Sequence, residues 1–202
     1  MSTTVTEPET IGSIDWQEIN LYRFFAFVLA PPTPDCYTFL SQPVVPSALA
    51  DLWNKLGCEG AFPGFAWLST YELYESAYIA LFEVGVPEPP VPLFESAHNK
   101  SRPAQEIALE NTYFYGVLGL KSDPSRGVPD YLITQLEFLS ALRYLAEHTP
   151  DEEIAVSLLR AESEFIGRHL LNWIPDAVAK LNQSGAPGFP VLMTLLERFI
   201  KN

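Results

Sequence analysis

The sequence predicts an all-α protein built as a single-domain helical bundle. Apolar side chains recur at helical spacing through most of the chain, and no alternation of apolar and polar residues is long enough for a convincing strand. No internal repeat is present, and a chain of 202 residues can bury roughly 70% of its unfolded surface in one core. We therefore expect a polar tail over residues 1–12 and one all-α domain over residues 13–202.

The first helix is predicted to run from Ser13 to Ala30. Asp15 and Glu18 place negative charge in its first turn, where it suits the helix dipole, and prolines follow its end. Two short helices are expected next, in the sequences DCYTFLSQ and SALADLWNKLG.

A well-marked helix start follows, because Ser69 and Glu72 have the spacing of a capping box. Leu68 and Leu73 are placed to form its hydrophobic staple. This helix carries several aromatic residues and should end near Gly85.

A proline-rich loop at residues 86–95 separates the two halves of the chain. Four of the six residues from Pro87 to Pro92 are proline, which fixes φ and removes backbone donors. The segment cannot be helical, and we expect a rigid spacer that holds Leu93 and Phe94 in a set place.

The second half continues as helices. The segment from Asp130 to Glu147 has no clean polar face, which indicates a central helix buried on most sides. Thr149 and Glu152 predict a second capping box, opening a helix to about Trp173. The remaining helices are expected in SRPAQEIALENTYFYGVLGL, IPDAVAKLNQSG and GFPVLMTLLERFI.

Composition excludes several classes of function. A net charge of −13 makes nucleic acid a poor partner and favours a basic one, although acidity can also serve solubility alone. Two cysteines are too few for a disulfide framework, and their spacing is not that of a zinc site. The N-terminus lacks the pattern of a secretory signal, and the longest apolar run, residues 24–30, is too short to span a bilayer. We expect a cytoplasmic protein without stable membrane insertion.

Enzyme chemistry has little support in the sequence, since no phosphate loop, dinucleotide fingerprint or nucleophile elbow occurs. Glu137 lies in the most apolar helix, so we expect a buried, paired carboxylate there. His169 shares a helical stripe with Phe165 and Trp173, which predicts a buried imidazole held by one hydrogen bond. We predict no catalytic residue, no metal and no cofactor; a helical metalloenzyme is the alternative from another class.

Three segments together resemble the TorD/DmsD/NarJ family of molybdoenzyme chaperones. They are YIALFEVG with the loop and LFES after it, then VPDYLITQLEFLSALRYLAE, then EFIGRHLLNWIPDAV. The loop is most similar to the branch that serves type II enzymes of the dimethyl sulfoxide reductase family. Tyr131 stands where the family's Pro-Asp-His signature has histidine.

The resemblance implies a chaperone that binds the apo catalytic subunit of a molybdopterin enzyme and its twin-arginine signal peptide, assists cofactor insertion and delays export. A NarJ-like chaperone of a membrane-bound nitrate reductase is the rival. Paired arginines and an apolar stretch would suit a groove of aromatic side chains and carboxylates. The client-binding candidates are Tyr78, Phe82, Glu83, Glu88, Pro90, Leu93, Phe94, Glu95, Ser96, Pro129, Asp130 and Tyr131. Glu137, His169 and Trp173 are expected as scaffold or pocket residues.

Overall fold

The computed structural model describes residues 14–17, 19–66, 69–120 and 128–202. Within these ranges the chain forms α-helices joined by short connections and no β-strand, which confirms the all-α prediction. The helices are α1 Leu21–Leu29, α2 Pro34–Leu40, α3 Val44–Lys55, α4 Tyr71–Tyr78, α5 Glu95–His98, α6 Ala104–Val117, α7 Leu132–His148, α8 Glu152–Phe165, α9 Ile174–Ser184 and α10 Phe189–Lys201.

Helix α7 lies at the centre of the bundle and packs against α1 and α8. Leu132, Leu136 and Leu139 form a fully buried stripe on it. The opposite face is open: Glu137 is exposed, and Tyr144 keeps 57% of its surface in solvent. The helix is buried on most sides, as expected, and the open strip holds Glu137 and Tyr144. The buried residues are Leu132, Ile133, Gln135, Leu136, Phe138, Leu139 and Leu142.

Helix α1 begins eight residues later than the sequence suggested. Ser13 and Glu18 lie outside the described residues. Asp15 accepts a hydrogen bond from the Gln17 backbone within a local turn, and Asn20 caps the helix by accepting from the Arg23 backbone. Such short polar side chains compete with the backbone for hydrogen bonds, so each stops or starts a helix locally.

Two other helix starts shift by one or two residues. Thr70, and not Ser69, caps α4 by accepting from the Leu73 backbone; Leu68 lies outside the described residues. Asp151, and not Thr149, caps α8 by accepting from two backbone N–H groups. Asp is at least as good a cap as Thr, which explains the second shift.

Two helices end in a wide π-helical turn. Ile79–Glu83 extends α4, and Ile166–Leu170 extends α8. In each turn a backbone N–H reaches back five residues, as Val84 does to the Ile79 carbonyl at 2.9 Å. Such turns redirect side chains and are frequent at functional sites. Both fall within segments that carry the family resemblance.

Candidate functional site

The proline-rich loop is held to the helical body by hydrogen bonds to its backbone near its end. The Val91 N–H donates to the Leu81 carbonyl, in the first π-helical turn, at 2.9 Å. His98 Nε2 bonds to the Pro92 carbonyl at 2.8 Å. Val91 is buried, whereas Val86 at the tip is wholly exposed. The loop therefore presents an exposed tip above a fixed base.

Beyond this base, the chain pairs with the start of α7 in a single antiparallel bridge between Phe94 and Tyr131. The Leu132 N–H donates to the Leu93 carbonyl at 2.9 Å, and the Glu95 N–H donates to the Asp130 carbonyl at 3.0 Å. The Phe94 and Tyr131 rings lie 5.1 Å apart, tilted by 33°. Two backbone bonds thus fix the position of both rings.

These rings form one wall of an open cleft with a volume of about 290 Å³. The end of α4, its π-helical turn and the segment after α1 supply more of the lining, and Leu93 and Val128 complete it. The cleft is lined by Pro31, Tyr78, Phe82, Glu83, Leu93, Phe94, Val128 and Tyr131. Six of these residues are among the sequence-predicted set, and the structure brings them together.

The floor of the cleft is apolar and its rim carries charge. Tyr78, Phe82 and Leu93 are at most 3% exposed, so they offer a floor and little free surface. The Tyr78 hydroxyl donates to the Leu29 carbonyl at 3.2 Å and lies 3.3 Å from the Tyr131 hydroxyl. Glu83 is exposed at the rim and, among the described residues, its carboxylate forms no ion pair.

The negative potential at this cleft acts on its phenols. Burial raises the pKa of Tyr131, and the nearby charges of Glu83 and Glu137 raise it further, against the opposing effect of the Tyr78 hydroxyl. Burial is also the main reason why the pKa of Tyr78 is raised. Both hydroxyls therefore stay neutral hydrogen-bonding groups across the physiological range, and the carboxylates carry the charge.

Glu95 and Asp130 do not supply that charge, contrary to the sequence-based expectation. Glu95 is fully buried, and Asp130 is 2% exposed. Asp130 Oδ2 accepts from the Ser96 backbone N–H at 3.0 Å, at the start of α5. A carboxylate at a helix start satisfies free backbone donors, so Asp130 is a positioning residue for α5.

Glu95 is the centre of a buried polar network that joins four helical segments. It accepts from Gln135 at 2.8 Å and from Asn111 at 3.1 Å, and its Oε2 lies 3.0 Å from His169 Nδ1. The two Nδ2–H groups of Asn111 donate to Glu95 and to the Ile107 carbonyl, and a carboxylate oxygen accepts, so we assign His169 Nδ1–H as a donor to Glu95. His169 is buried, as expected, and Nδ1 makes all its polar contacts, since Nε2 has no hydrogen-bond partner among the described residues.

The other predicted residues lie around the cleft. Glu88 and Pro90 are exposed on the loop, and Glu88 pairs with Lys100 at 3.4 Å. Ser96 and Pro129 are half-buried, and the Pro129 carbonyl accepts from the Tyr115 hydroxyl. None of these four side chains lines the cleft.

Trp173 is fully buried and stacks on His98, with ring centroids 5.1 Å apart. His98 Nδ1 lies 2.7 Å from Asp176 on α9, while Nε2 bonds the loop at Pro92. His98 therefore links the base of the proline-rich loop to α9. The hydrogen bond from His98, helped by Lys180, lowers the pKa of Asp176.

A second surface groove, of about 590 Å³, runs between α1 and α7. Its lining comprises Asn20, Arg23, Ala26, Phe27, Ala30, Ile133, Glu137, Ser140, Ala141 and Tyr144. Glu137, expected to be a buried and paired carboxylate, is exposed here because it lies on the uncovered face of α7. Within the described part of the chain its carboxylate has no ion-pair partner.

Sequence reasoning missed this groove and two residues of the cleft, Pro31 and Val128. Phe27 is 41% exposed although it lies in the most apolar run of the chain. The sequence does place both residues beside predicted elements: Pro31 follows the first helix, and Val128 precedes the Pro-Asp pair. The sequence could not show that these points meet.

Two features typical of other classes of protein are absent from the described residues. No group of three or more His, Cys, Asp or Glu residues there is arranged to hold a metal ion. None of the helices in these ranges has the length and apolar character needed to cross a bilayer.

The fold and the cleft define an all-α protein with an open aromatic cleft and one exposed carboxylate, Glu83, at its rim. Residues 60–179 match the family model described as nitrate reductase delta subunit. That match covers more than half of the chain, so the chain belongs to this family.

Curated relatives carry the names of assembly chaperones. The chain is 31% identical to the perchlorate reductase assembly chaperone of Dechloromonas aromatica over 65% of this chain and 60% of that one. It is 36% identical to the selenate reductase assembly chaperone of Thauera selenatis over 53% of this chain and 56% of that one. It is 33% identical to the chlorate reductase assembly chaperone of Ideonella dechloratans over 63% of this chain and 65% of that one. The matches thus span about three fifths of the relatives' length.

The same fold occurs in a crystal structure of a proposed redox enzyme maturation protein from Archaeoglobus fulgidus. The TM-score is 0.56 at 15% identity, with 90% of this chain and 93% of that chain covered. This likeness concerns the fold alone.

Proposed function

We propose that this protein is a cytoplasmic maturation chaperone for a molybdopterin-containing reductase. It binds the apo catalytic subunit and the subunit's twin-arginine signal peptide, assists cofactor insertion and delays export, and it makes or breaks no covalent bond. The names of the curated relatives support the client class, because all three serve oxyanion reductases.

The observation that carries the proposal is the cleft at the Phe94–Tyr131 bridge. An arginine side chain can stack on an aromatic ring and donate to a carboxylate at the same time. Tyr131, Phe94 and Glu83 provide both partners within one cleft of about 290 Å³. An unpaired carboxylate loses little by accepting a guanidinium, since it breaks no existing ion pair.

A synthetic signal peptide with an arginine pair, labelled with a fluorophore, tests the proposal by anisotropy. We expect saturable binding to the full chain, and at least tenfold weaker binding of a peptide with both arginines replaced by glutamine, since each charge-assisted hydrogen bond contributes about 1.5–3 kcal/mol. Equal affinity for the two peptides, or no binding of the arginine peptide, would contradict the proposal.

The rival is an assembly chaperone for a membrane-bound nitrate reductase, which the description of the matching family favours. The two functions differ in the client. Pull-down with the purified chain, from the native host grown on each candidate electron acceptor, identifies the retained subunit by mass spectrometry. A nitrate reductase subunit would select the rival, and an exported oxyanion reductase subunit would select the main proposal.

A further inference from the structure

Helix α6 is apolar on two opposite faces, and only one of them is packed against the protein. Ile107, Phe114 and Tyr115 are buried on the inner face. The outer face carries a stripe of four residues that are between 48% and 76% exposed, the α6 stripe: Leu109, Tyr113, Val117 and Leu120. A helix that is apolar on both faces is normally covered on both. Contiguous exposed apolar residues of this kind mark a surface that another molecule covers.

The α6 stripe is a defined surface with a fixed end. Leu120 lies just beyond the helix, and its N–H donates to the Tyr115 carbonyl at 3.1 Å, which holds it against the last turn. At these exposures the four side chains present roughly 500 Å² each time the stripe occurs, so two stripes together would bury on the order of 1,000 Å². That area is at the lower limit of a specific interface, and it implies a reversible partner.

Charge favours a second copy of the chain over a cationic ligand. With a net charge of −13, most of the surface attracts cations and repels another copy. The α6 stripe is uncharged, and the carboxylate beside it, Glu110, is already paired with Arg102 at 2.7 Å and with Arg168 at 3.0 Å. This face therefore offers an arginine-bearing peptide no unpaired carboxylate, and it lacks the repulsion that opposes self-association elsewhere on the chain.

The spacing of the stripe is symmetric about Tyr113. Leu109 and Val117 each lie four residues from it, so a second α6 running antiparallel sets Leu109 opposite the other copy's Val117 and sets Tyr113 opposite itself. A two-fold interface requires a self-complementary patch of this kind. The exposed Glu106, in the first turn of α6, is then about 21 Å along the helix axis from its counterpart. That distance exceeds the screening length of about 8 Å in physiological salt, whereas parallel pairing would place the two carboxylates side by side.

We propose that two copies of this chain associate through the α6 stripe as an antiparallel, two-fold-symmetric dimer with the Tyr113 rings at its centre. None of the four stripe residues lines the cleft at the Phe94–Tyr131 bridge. The dimer therefore does not depend on the proposed function, and its test uses no client peptide.

Sedimentation velocity of the full chain tests the association. From about 5 µM to about 500 µM protein we expect a rising fraction of dimer, as a reversible interface of this size requires. Tyr113→Glu places two carboxylates opposite each other on the two-fold axis and should weaken dimerisation at least tenfold. The matched control is Tyr144→Glu, which adds the same charge at an exposed tyrosine on α7 and should dimerise like wild type.

Disulfide cross-linking tests the antiparallel register, in a Cys58→Ser background that removes the half-buried native thiol. Tyr113→Cys alone should give a disulfide-linked dimer under mild oxidation. Leu109→Cys and Val117→Cys should cross-link when mixed and not when each is oxidised alone. Ile154→Cys, at an exposed site on α8, should stay monomeric.

Three results would overturn the proposal. The first is a monomer throughout the concentration range, and the second is an equal loss of dimer in Tyr113→Glu and Tyr144→Glu. The third is cross-linking of Leu109→Cys to itself, which would indicate parallel pairing. A chain that stays monomeric but needs Tyr113 to retain the apo catalytic subunit would assign the stripe to the client instead.

Discussion

Phe94 and Tyr131 are paired by two backbone hydrogen bonds that join the end of the proline-rich loop to the start of the central helix. Their rings lie 5.1 Å apart and form a wall of the cleft. A stiff loop favours this pairing because it limits the positions of the Leu93 carbonyl, which accepts from the Leu132 N–H. The prolines of the loop therefore help to fix the position of the Phe94 ring beside Tyr131.

The Tyr131 ring and its hydroxyl should have separable roles. In Tyr131→Phe the stacking on Phe94 remains, while the 3.3 Å contact with the Tyr78 hydroxyl is lost. Tyr78 keeps the Leu29 carbonyl as a partner, so we expect the free energy of unfolding to fall by about 1 kcal/mol or less. Tyr131→Ala should also weaken peptide binding about tenfold. Urea unfolding and anisotropy measure the two effects; equal peptide affinity in both variants would contradict a role for the ring.

The buried network around Glu95 should be structural. Glu95→Ala removes the acceptor shared by Gln135, Asn111 and His169, leaving buried donors unpaired. We expect a loss of about 3–5 kcal/mol in the free energy of unfolding. Glu83→Ala, at the exposed rim, is the matched control and should leave the urea midpoint unchanged. Equal midpoints for the two variants would show that Glu95 is not held as described.

Gly85 should be required for the turn that begins the proline-rich loop. A Cβ there would lie 2.2 Å from the Glu88 carbonyl oxygen, which forces the backbone to shift. We expect Gly85→Ala to lower the thermal midpoint and to weaken peptide binding. Gly116→Ala is the control, because a Cβ in α6 meets nothing within 4 Å and should stabilise the helix by about 0.5–1 kcal/mol. A higher thermal midpoint for both variants would contradict the tight turn.

The contact between His98 and Asp176 should contribute a pH-dependent part of the stability. The pKa of Asp176 is lowered in the folded state, so its contribution is present above the unfolded value of about 3.9 and disappears as the pH falls through the folded-state pKa. Asp176 is half exposed, so solvent screening limits the contribution to about 1 kcal/mol or less.

The contribution of Asp176 is measured by chemical unfolding from pH 7 to pH 3. Wild type is compared with Asp176→Asn and with the exposed control Asp51→Asn. The difference in the free energy of unfolding between wild type and Asp176→Asn should stay constant down to about pH 4 and become smaller below it. Asp51→Asn controls for the loss of one surface negative charge. A difference that stays constant to pH 3 would show that the lowered pKa of Asp176 does not contribute.

Much of the helical framework could be predicted from local patterns, because apolar periodicity and strong stop signals act within a few residues. Gly185, for example, ends α9 with φ of 68°, as the sequence NQSG indicates. Helix starts were displaced where several capping residues stood side by side, as at Ser69 and Thr70. The local sequence does not show which of two neighbouring capping residues starts the helix, since each can accept from the same backbone N–H groups.

Burial of charged residues was the least predictable property. Glu137 occupies an apolar helix yet faces solvent, whereas Glu95, in a polar-looking loop, is fully buried. The difference arises from contacts distant in sequence: Asn111, Gln135 and His169 converge on Glu95, and α1 leaves one face of α7 open. The π-helical turns that help to arrange these contacts have no simple sequence signature.

The coupling between Glu83 and the arginine pair tests the central claim most directly. A double-mutant cycle combines Glu83→Gln with the peptide in which both arginines are glutamine, and Glu147→Gln on α7 serves as the charge-matched control. We predict a coupling free energy of about 1 kcal/mol or more for Glu83 and none for Glu147. Zero coupling for Glu83, with wild-type affinity retained, would contradict the account of an acid-rimmed aromatic cleft that binds arginine.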